Sequence, residues 1–304
     1  MCIRDRFIST LESPSGLFAV YQREVHFCFG GNCSGLVPRL PGYVPEAGQW
    51  SYRLGTLAAD TSNIDFDGLS LTATVRSGPL PDTTLSEPGV LRLQPYLTAT
   101  SVSVAELTPV LQRVAALAEL NQLKFEVLPV EVLAEPGYEI VSSDFVDANT
   151  AAMVRLGQAD TLNVFFVEDF SDSESLGGIS GGIPGGLGFQ NGHNGVLLNA
   201  AGFVVDGSLL EARLAETTFH EIGHLVGLYH TTEAQFTGND VLADTPACRA
   251  DVHDINQDGI AASTECPDSQ NPMFWQNSVL TEWDPLTDDQ KWVIYHSPLA
   301  VPGD

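Results

Sequence analysis

Basic residues are scarce. The 304-residue chain carries 13 Lys and Arg against 39 Asp and Glu, a formal net charge of −26. Such a surface repels phosphate, so nucleic acid and anionic membrane are poor partners, while hard cations such as calcium suit it. Long apolar runs are absent too. No stretch reaches the roughly 18 residues a membrane-spanning helix needs. The charged start Met1-Cys2-Ile3-Arg4-Asp5-Arg6 is not followed by an apolar segment, so no signal peptide is readable. The remainder reads as extracellular, and the expectation is a true start missing from this sequence. Cysteine is limited to five residues with no Cys-x-x-Cys, which argues against a thiolate zinc cluster. Two local pairs, Cys28 with Cys33 and Cys248 with Cys266, suggest disulfides and an oxidising compartment; isolated buried thiols are the alternative. Asn32-Cys33-Ser34 fits a glycosylation sequon. No Gly-Lys-Ser/Thr occurs, so phosphate-loop chemistry has no support.

Apolar residues make up 43% of the chain, enough to bury a sizeable core. Gly and Pro number 28 and 18, which points to many loops rather than a helical bundle. Residues 1–100 read as short strands and turns, a β-rich accessory or pro-like region with Leu69–Val75 alternating at period two. Residues 101–304 alternate helices and strands and predict one mixed α/β domain. Thr108-Pro109 predicts a helix start, followed by Val110, Leu111, Val114, Leu117 and Leu120 at helical spacing. Phe125–Leu133 reads as a strand, Asp144–Leu156 as a helix and Thr161–Val167 as a buried central strand. Gly177–Gly188 reads as a surface loop and Gly195–Asn199 as a short strand. Ser208, with Glu211 three residues on, predicts the capping box of a long helix reaching Gly227. Thr287 with Gln290 predicts the last helix, ended by Pro298.

The decisive segment is His220-Glu221-Ile222-Gly223-His224-Leu225-Val226-Gly227-Leu228-Tyr229-His230. On a helix, His220 and His224 lie about 40° apart around the axis, so both imidazoles can hold one ion. Gly227 can adopt positive φ, end the helix and return His230 to the same ion. Three neutral imidazoles leave one position open, the arrangement of a catalytic zinc. Glu221 sits beside the ion as a base, not a ligand. Five fixed residues at this spacing arise by chance in roughly 2 of 10⁵ chains of this composition. The competing reading, histidines on a core helix, requires partners for every buried polar group.

This segment resembles the metzincin zinc peptidases. Asn271-Pro272-Met273-Phe274-Trp275 resembles their methionine turn, with Met273 beneath the zinc. The spelling around Gly223 and Gly227-Leu228-Tyr229-His230 is similar to the pappalysin, or cytophagalysin, branch. So are Gly238–Pro246 and the closing Leu286-Thr287-x-x-Gln290. The resemblance covers about residues 105–298. It implies a zincin-like fold, a twisted mixed sheet with a catalytic helix, and a zinc endopeptidase acting on polypeptides. It also implies that Gly195–Asn199 is the edge strand that binds extended substrate. Trp275 departs from those metzincins that place a tyrosine there.

Asp254-Ile255-Asn256-Gln257-Asp258-Gly259, with Glu265 at the twelfth place, matches a calcium loop. Asp254, Asn256, Asp258, the Ile260 carbonyl and Glu265 are its expected ligands, a solvated acidic turn being the alternative. His26, His193, His253 and His296 read as surface or core groups. Two other functions stay open: a catalytically inactive, metal-braced binding module, and a zinc amidase acting on cell-wall peptides.

Overall fold

In a computed structural model of the chain, residues 89–173, 175–276 and 283–300 are described, with the backbone of four strands upstream. Strands β1 (Phe7–Glu12) and β4 (Ser51–Gly55) pair antiparallel. Strands β2 (His26–Phe29) and β3 (Asn32–Gly35) form a hairpin that sets Cys28 opposite Cys33 in register. The expected strand Leu69–Val75, Cys2 and the bonding state of Cys28 and Cys33 lie outside the described residues.

From residue 89 the chain builds a twisted mixed sheet. In chain order it runs through β5 (Val90–Leu97), α1 (Val104–Leu120), β6 (Lys124–Val127), β7 (Glu131–Val132), β8 (Ile140–Val141) and α2 (Ala148–Val154). Then come β9 (Leu162–Val167), β10 (Asp169–Phe170), β11 (Gly178–Ser180), β12 (Val196–Asn199), β13 (Val204–Val205) and β14 (Ser208–Leu209). Helices α3 (Glu211–Val226), α4 (Ala250–His253) and α5 (Asp288–Tyr295) complete it. The main sheet has the order β11-β12-β9-β5-β6, with β7 continuing beside β5. Its strands are parallel except β11, which runs antiparallel to β12.

Period-two alternation sorts the side chains into two cores. Leu162, Val164 and Phe166 of β9 face α1 and α3, together with Leu93 and Leu198. Phe165 and Val167 face the opposite side, where Tyr96 stacks on Phe165 at 4.6 Å and Phe145, Met153 and Val154 close the layer. A strand covered on both faces is apolar along most of its length, and the one polar residue of β9, Asn163, is buried with its amide bonded to Gln158 and Asn194.

Several expected elements shift for local reasons. Strand β5 falls inside the stretch assigned to the N-terminal region, yet it is central, flanked by β9 and β6. Helix α1 starts at the Ser103 cap, not at Thr108: Ser103 Oγ accepts from Glu106 N–H and Glu106 accepts from Ser103 N–H at 2.8 Å. Pro109 therefore lies inside the helix. The expected strand Phe125–Leu133 is split around Pro129 into β6 and β7. The expected helix 144–156 is shortened to α2, because Asp147 caps it through the Asn149 and Thr150 N–H groups. Ser208 does not cap α3. Asp206 and Gly207, at φ 51° and 74°, make a two-residue hairpin turn that draws Ser208 into β14. Helix α3 then starts without a side-chain cap. The Thr287–Gln290 capping box is present at α5 as expected.

Candidate metal centre

Helix α3 carries His220 and His224 on one buried face. It ends at Gly227, whose φ of +117° is the left-handed conformation that a glycine reaches without strain. The chain turns there and brings His230 back. The three Nε2 atoms stand 3.1–3.2 Å apart. Each Nδ1 has its own acceptor: Pro272 O at 2.7 Å for His220, Leu228 O at 2.7 Å for His224, and Glu233 Oε2 at 3.0 Å for His230. With every Nδ1–H committed outward, the three Nε2 atoms converge as bare lone pairs. Lone pairs at that distance repel unless a cation lies between them. Three nitrogens bound tetrahedrally to one ion at about 2.0–2.1 Å stand about 3.3–3.4 Å apart, close to what is observed. The donor set thus fits a zinc ion. Burial, and then the adjacent His230 ring, push His220 down to about 3. Burial and the other two rings hold His224 well below the ordinary value, so both are neutral, as metal ligation requires.

Glu221 is buried beside this trio, and burial pushes its carboxyl up to about 8 against one backbone hydrogen bond from Ser180. The neighbour overhead is β11, not the predicted Gly195–Asn199 strand. That strand became β12, second in the sheet and covered by β11. The residues read as a surface loop supply the edge because glycine lets the backbone approach closely. A Cβ on Gly178 would stand 2.9 Å from both Glu221 Cγ and Leu198 Cδ1. Bonds at Asn199 N–Gly177 O and Gly181 N–Gly195 O fix the register. Alternation then turns the backbone groups of Gly178 and Ser180 away from β12.

The floor of the site is residues 271–274. Met273 is fully buried under the helix; a Cβ on Gly223 would meet its Sδ at 2.5 Å. Thr231 N–H donates to Met273 O at 2.9 Å, and Pro272 O receives His220. Asn271 holds the turn by accepting from Met273 N–H at 2.9 Å and exchanging two amide bonds with Gln290, at 2.9 and 3.1 Å. Sequence reasoning placed Asn271 in the methionine-turn segment and Gln290 as the cap of the closing helix without pairing them, and Glu233, Gly178 and Ser180 had no assigned role. The Gly-rich run and the Asn-Pro dipeptide were their only signals. Trp275 packs against the cluster of Cys248, Ala261, Cys266 and Phe274 and donates to Ala261 O at 2.6 Å.

Cys248 and Cys266 form the expected disulfide, with Asp268 buried beside it. The calcium loop departs from expectation. Asp254 accepts from Gly259 N–H at 3.2 Å, Asn256 from Asp258 N–H at 2.9 Å, Asp258 from Ile260 N–H at 2.8 Å, and Glu265 from Asn256 N–H at 3.3 Å. The carboxylates of Asp254, Asp258 and Glu265 do not gather within 4.8 Å of one another. Loop N–H groups, not a shared centre, take up their oxygens, although Asp254 Oδ1 and Glu265 Oε2 remain buried without a hydrogen-bond partner.

No protein-family model matches the chain. An extracellular metalloprotease of Sordaria macrospora is 32% identical over 116 residues, covering 36% of this chain and 39% of that protein. An extracellular metalloprotease of Neurospora crassa is 34% identical over 118 residues, with the same shares. The chain thus spans about two fifths of the length of these curated relatives. Among solved structures, mature mirolysin of Tannerella forsythia, in complex with a cleaved peptide, matches at 12% identity and TM-score 0.47, covering 71% of this chain and 96% of that one. Archaemetzincin from Methanopyrus kandleri matches at 13% identity and TM-score 0.39, covering 68% and 94%.

Proposed function

We propose that this chain is a zinc-dependent endopeptidase of the metzincin type, pappalysin-like in its site, working outside the cell. One observation carries the reading: three imidazoles present bare Nε2 atoms to a common point while every Nδ1 is engaged. His220, His224 and His230 would hold the ion. When bound, zinc supplies Lewis acidity for a peptide carbonyl and for water. Glu221, positioned by burial and the Ser180 N–H, takes a proton from the attacking water and returns it to the leaving amine. The outward backbone groups of Gly178 and the Ser180 carbonyl bind an extended peptide as an added strand, which tolerates many sequences. Met273 and Pro272 keep the histidines in place from below. The curated relatives named extracellular metalloproteases and the Cys248–Cys266 disulfide support both the activity and an oxidising location. Residues 1–100 would act as an accessory or pro-like region apart from strand β5.

Glu221→Gln tests the mechanism. The variant should retain one zinc per chain and lose casein hydrolysis by at least about 10²-fold, as loss of a general base does. Full activity would refute the role of Glu221, and turnover of muropeptides but not casein would favour an amidase. We further propose that calcium closes the loop of Asp254, Asn256, Asp258, Ile260 and Glu265, supported by the two orphaned carboxylate oxygens. Melting with and without calcium would test it, and an unchanged midpoint would count against it.

A further inference from the structure

We infer that Glu233 is a positioning residue for His230, orienting this ring through a carboxylate where the other two use backbone carbonyls; the inference rests on the zinc peptidase reading above. His220 and His224 are rooted in a helix and buried, and their Nδ1 atoms meet the carbonyls of Pro272 and Leu228. His230 has neither advantage. It lies four residues past Val226, the last residue of α3, its side chain 24% exposed, and its Nδ1 meets Glu233 Oε2 at 3.0 Å. Without a partner, such a ring would sample rotamers and both tautomers.

Glu233 is itself held in place. Its N–H donates to Gly238 O at 2.9 Å, and its carbonyl accepts from Phe236 N–H at 2.9 Å. An antiparallel bridge between Thr232 and Asn239 closes this turn. Thr232 Oγ1 donates to the buried Asp268 at 2.7 Å, and Ala234 O accepts from Ala261 N–H at 2.8 Å. The turn carrying Glu233 is therefore fastened to the 248–266 loop that the disulfide closes, through Ala261, and to Asp268 just beyond it. A carboxylate acceptor on Nδ1–H selects the tautomer with Nε2 free, fixes the ring plane and makes Nε2 a stronger donor to a cation. A single hydrogen bond between partly exposed side chains contributes little to folding. A residue acting on the metal shows itself instead in metal affinity, by about 10–100-fold for partners of this kind.

The experiment compares wild type, Glu233→Gln, Glu233→Ala and the distant surface control Glu119→Gln. Zinc dissociation constants are measured by competition with a chromophoric chelator, and melting of each metal-free protein is recorded. Glu233→Ala should weaken zinc about 10–100-fold. Glu233→Gln, which keeps an acceptor oxygen but loses the charge, should fall in between. The metal-free melting points should coincide with wild type, and Glu119→Gln should bind as wild type does. Wild-type affinity in both Glu233 variants would overturn the positioning role alone, with the zinc reading intact. Affinity losses matched by equal losses of metal-free stability would also overturn it, since they report folding. A wild-type chain that binds no zinc would overturn the zinc reading and this inference together.

Discussion

Replacing Gly223 with Ala tests how the floor of the site is built. The added Cβ would stand 2.5 Å from Met273 Sδ and 3.1 Å from its Cε. Contacts between packed atoms lie near 3.5–4.0 Å, so the thioether must retreat by about 1 Å. It has nowhere to go, because Met273 is fully buried and the adjoining cavity beneath the helix measures only about 10 Å³. Overpacking of this kind costs about 1–3 kcal/mol. Exchanging a helical glycine for alanine returns up to about 1 kcal/mol. The net loss is about 1 kcal/mol, or about 2–4 °C in melting temperature for a domain of this size. Met273→Ala alone should cost about 2–5 kcal/mol through the cavity it leaves. In that background the clash is gone, so adding Gly223→Ala should stabilise. Urea midpoints of the four metal-free proteins measure this reversal of sign. Equal effects of Gly223→Ala in both backgrounds would refute the argument that Met273 excludes a side chain at 223.

Three further outcomes are expected. Gln290→Ala removes both amide bonds to Asn271 and leaves a buried polar group unpaired, a loss of about 1–3 kcal/mol in urea unfolding; an unchanged midpoint would show the pair to be idle. Replacing Cys248 and Cys266 by Ser should lower stability by about 3 kcal/mol for a loop of this length, and wild-type melting of the double variant would contradict it. For Glu168, burial raises the carboxyl, but the N–H and hydroxyl groups of Ser101 and Thr100 outweigh it and hold the pKa low. Its contribution is therefore present above the ordinary carboxylate value and lost as pH falls through the lowered one. The stability difference between wild type and Glu168→Gln should shrink below about pH 4, and a constant difference would disprove the linkage.

The imidazole trio was legible because its residues are local: eleven consecutive positions and one helical period carry all three rings, and a single glycine turns the chain. The Thr287–Gln290 cap was legible for the same reason. Where reasoning failed, a competing local signal or a distant partner decided. Ser208 with Glu211 matched a capping box, but Asp206-Gly207 made the stronger hairpin turn. Thr108-Pro109 matched a helix start, but Ser103 and Glu106 satisfied the N–H groups one turn earlier. The edge strand hid in the Gly-rich run, since a strand that needs glycine because a Cβ at 178 would collide with Glu221 and Leu198 looks like a loop. Asn271 meets Gln290 across 19 residues, and Gly223 meets Met273 across 50; neither pairing has a periodicity to betray it.

Hydrolysis by this chain should depend on one ion held by His220, His224 and His230. The direct test strips the purified chain of metal and titrates zinc back while following casein hydrolysis. No hydrolysis is expected at the start, then a linear rise that breaks at one zinc per chain, with His224→Ala inert throughout. Hydrolysis that survives complete metal removal, or zinc uptake with no dependence on the three histidines, would contradict it.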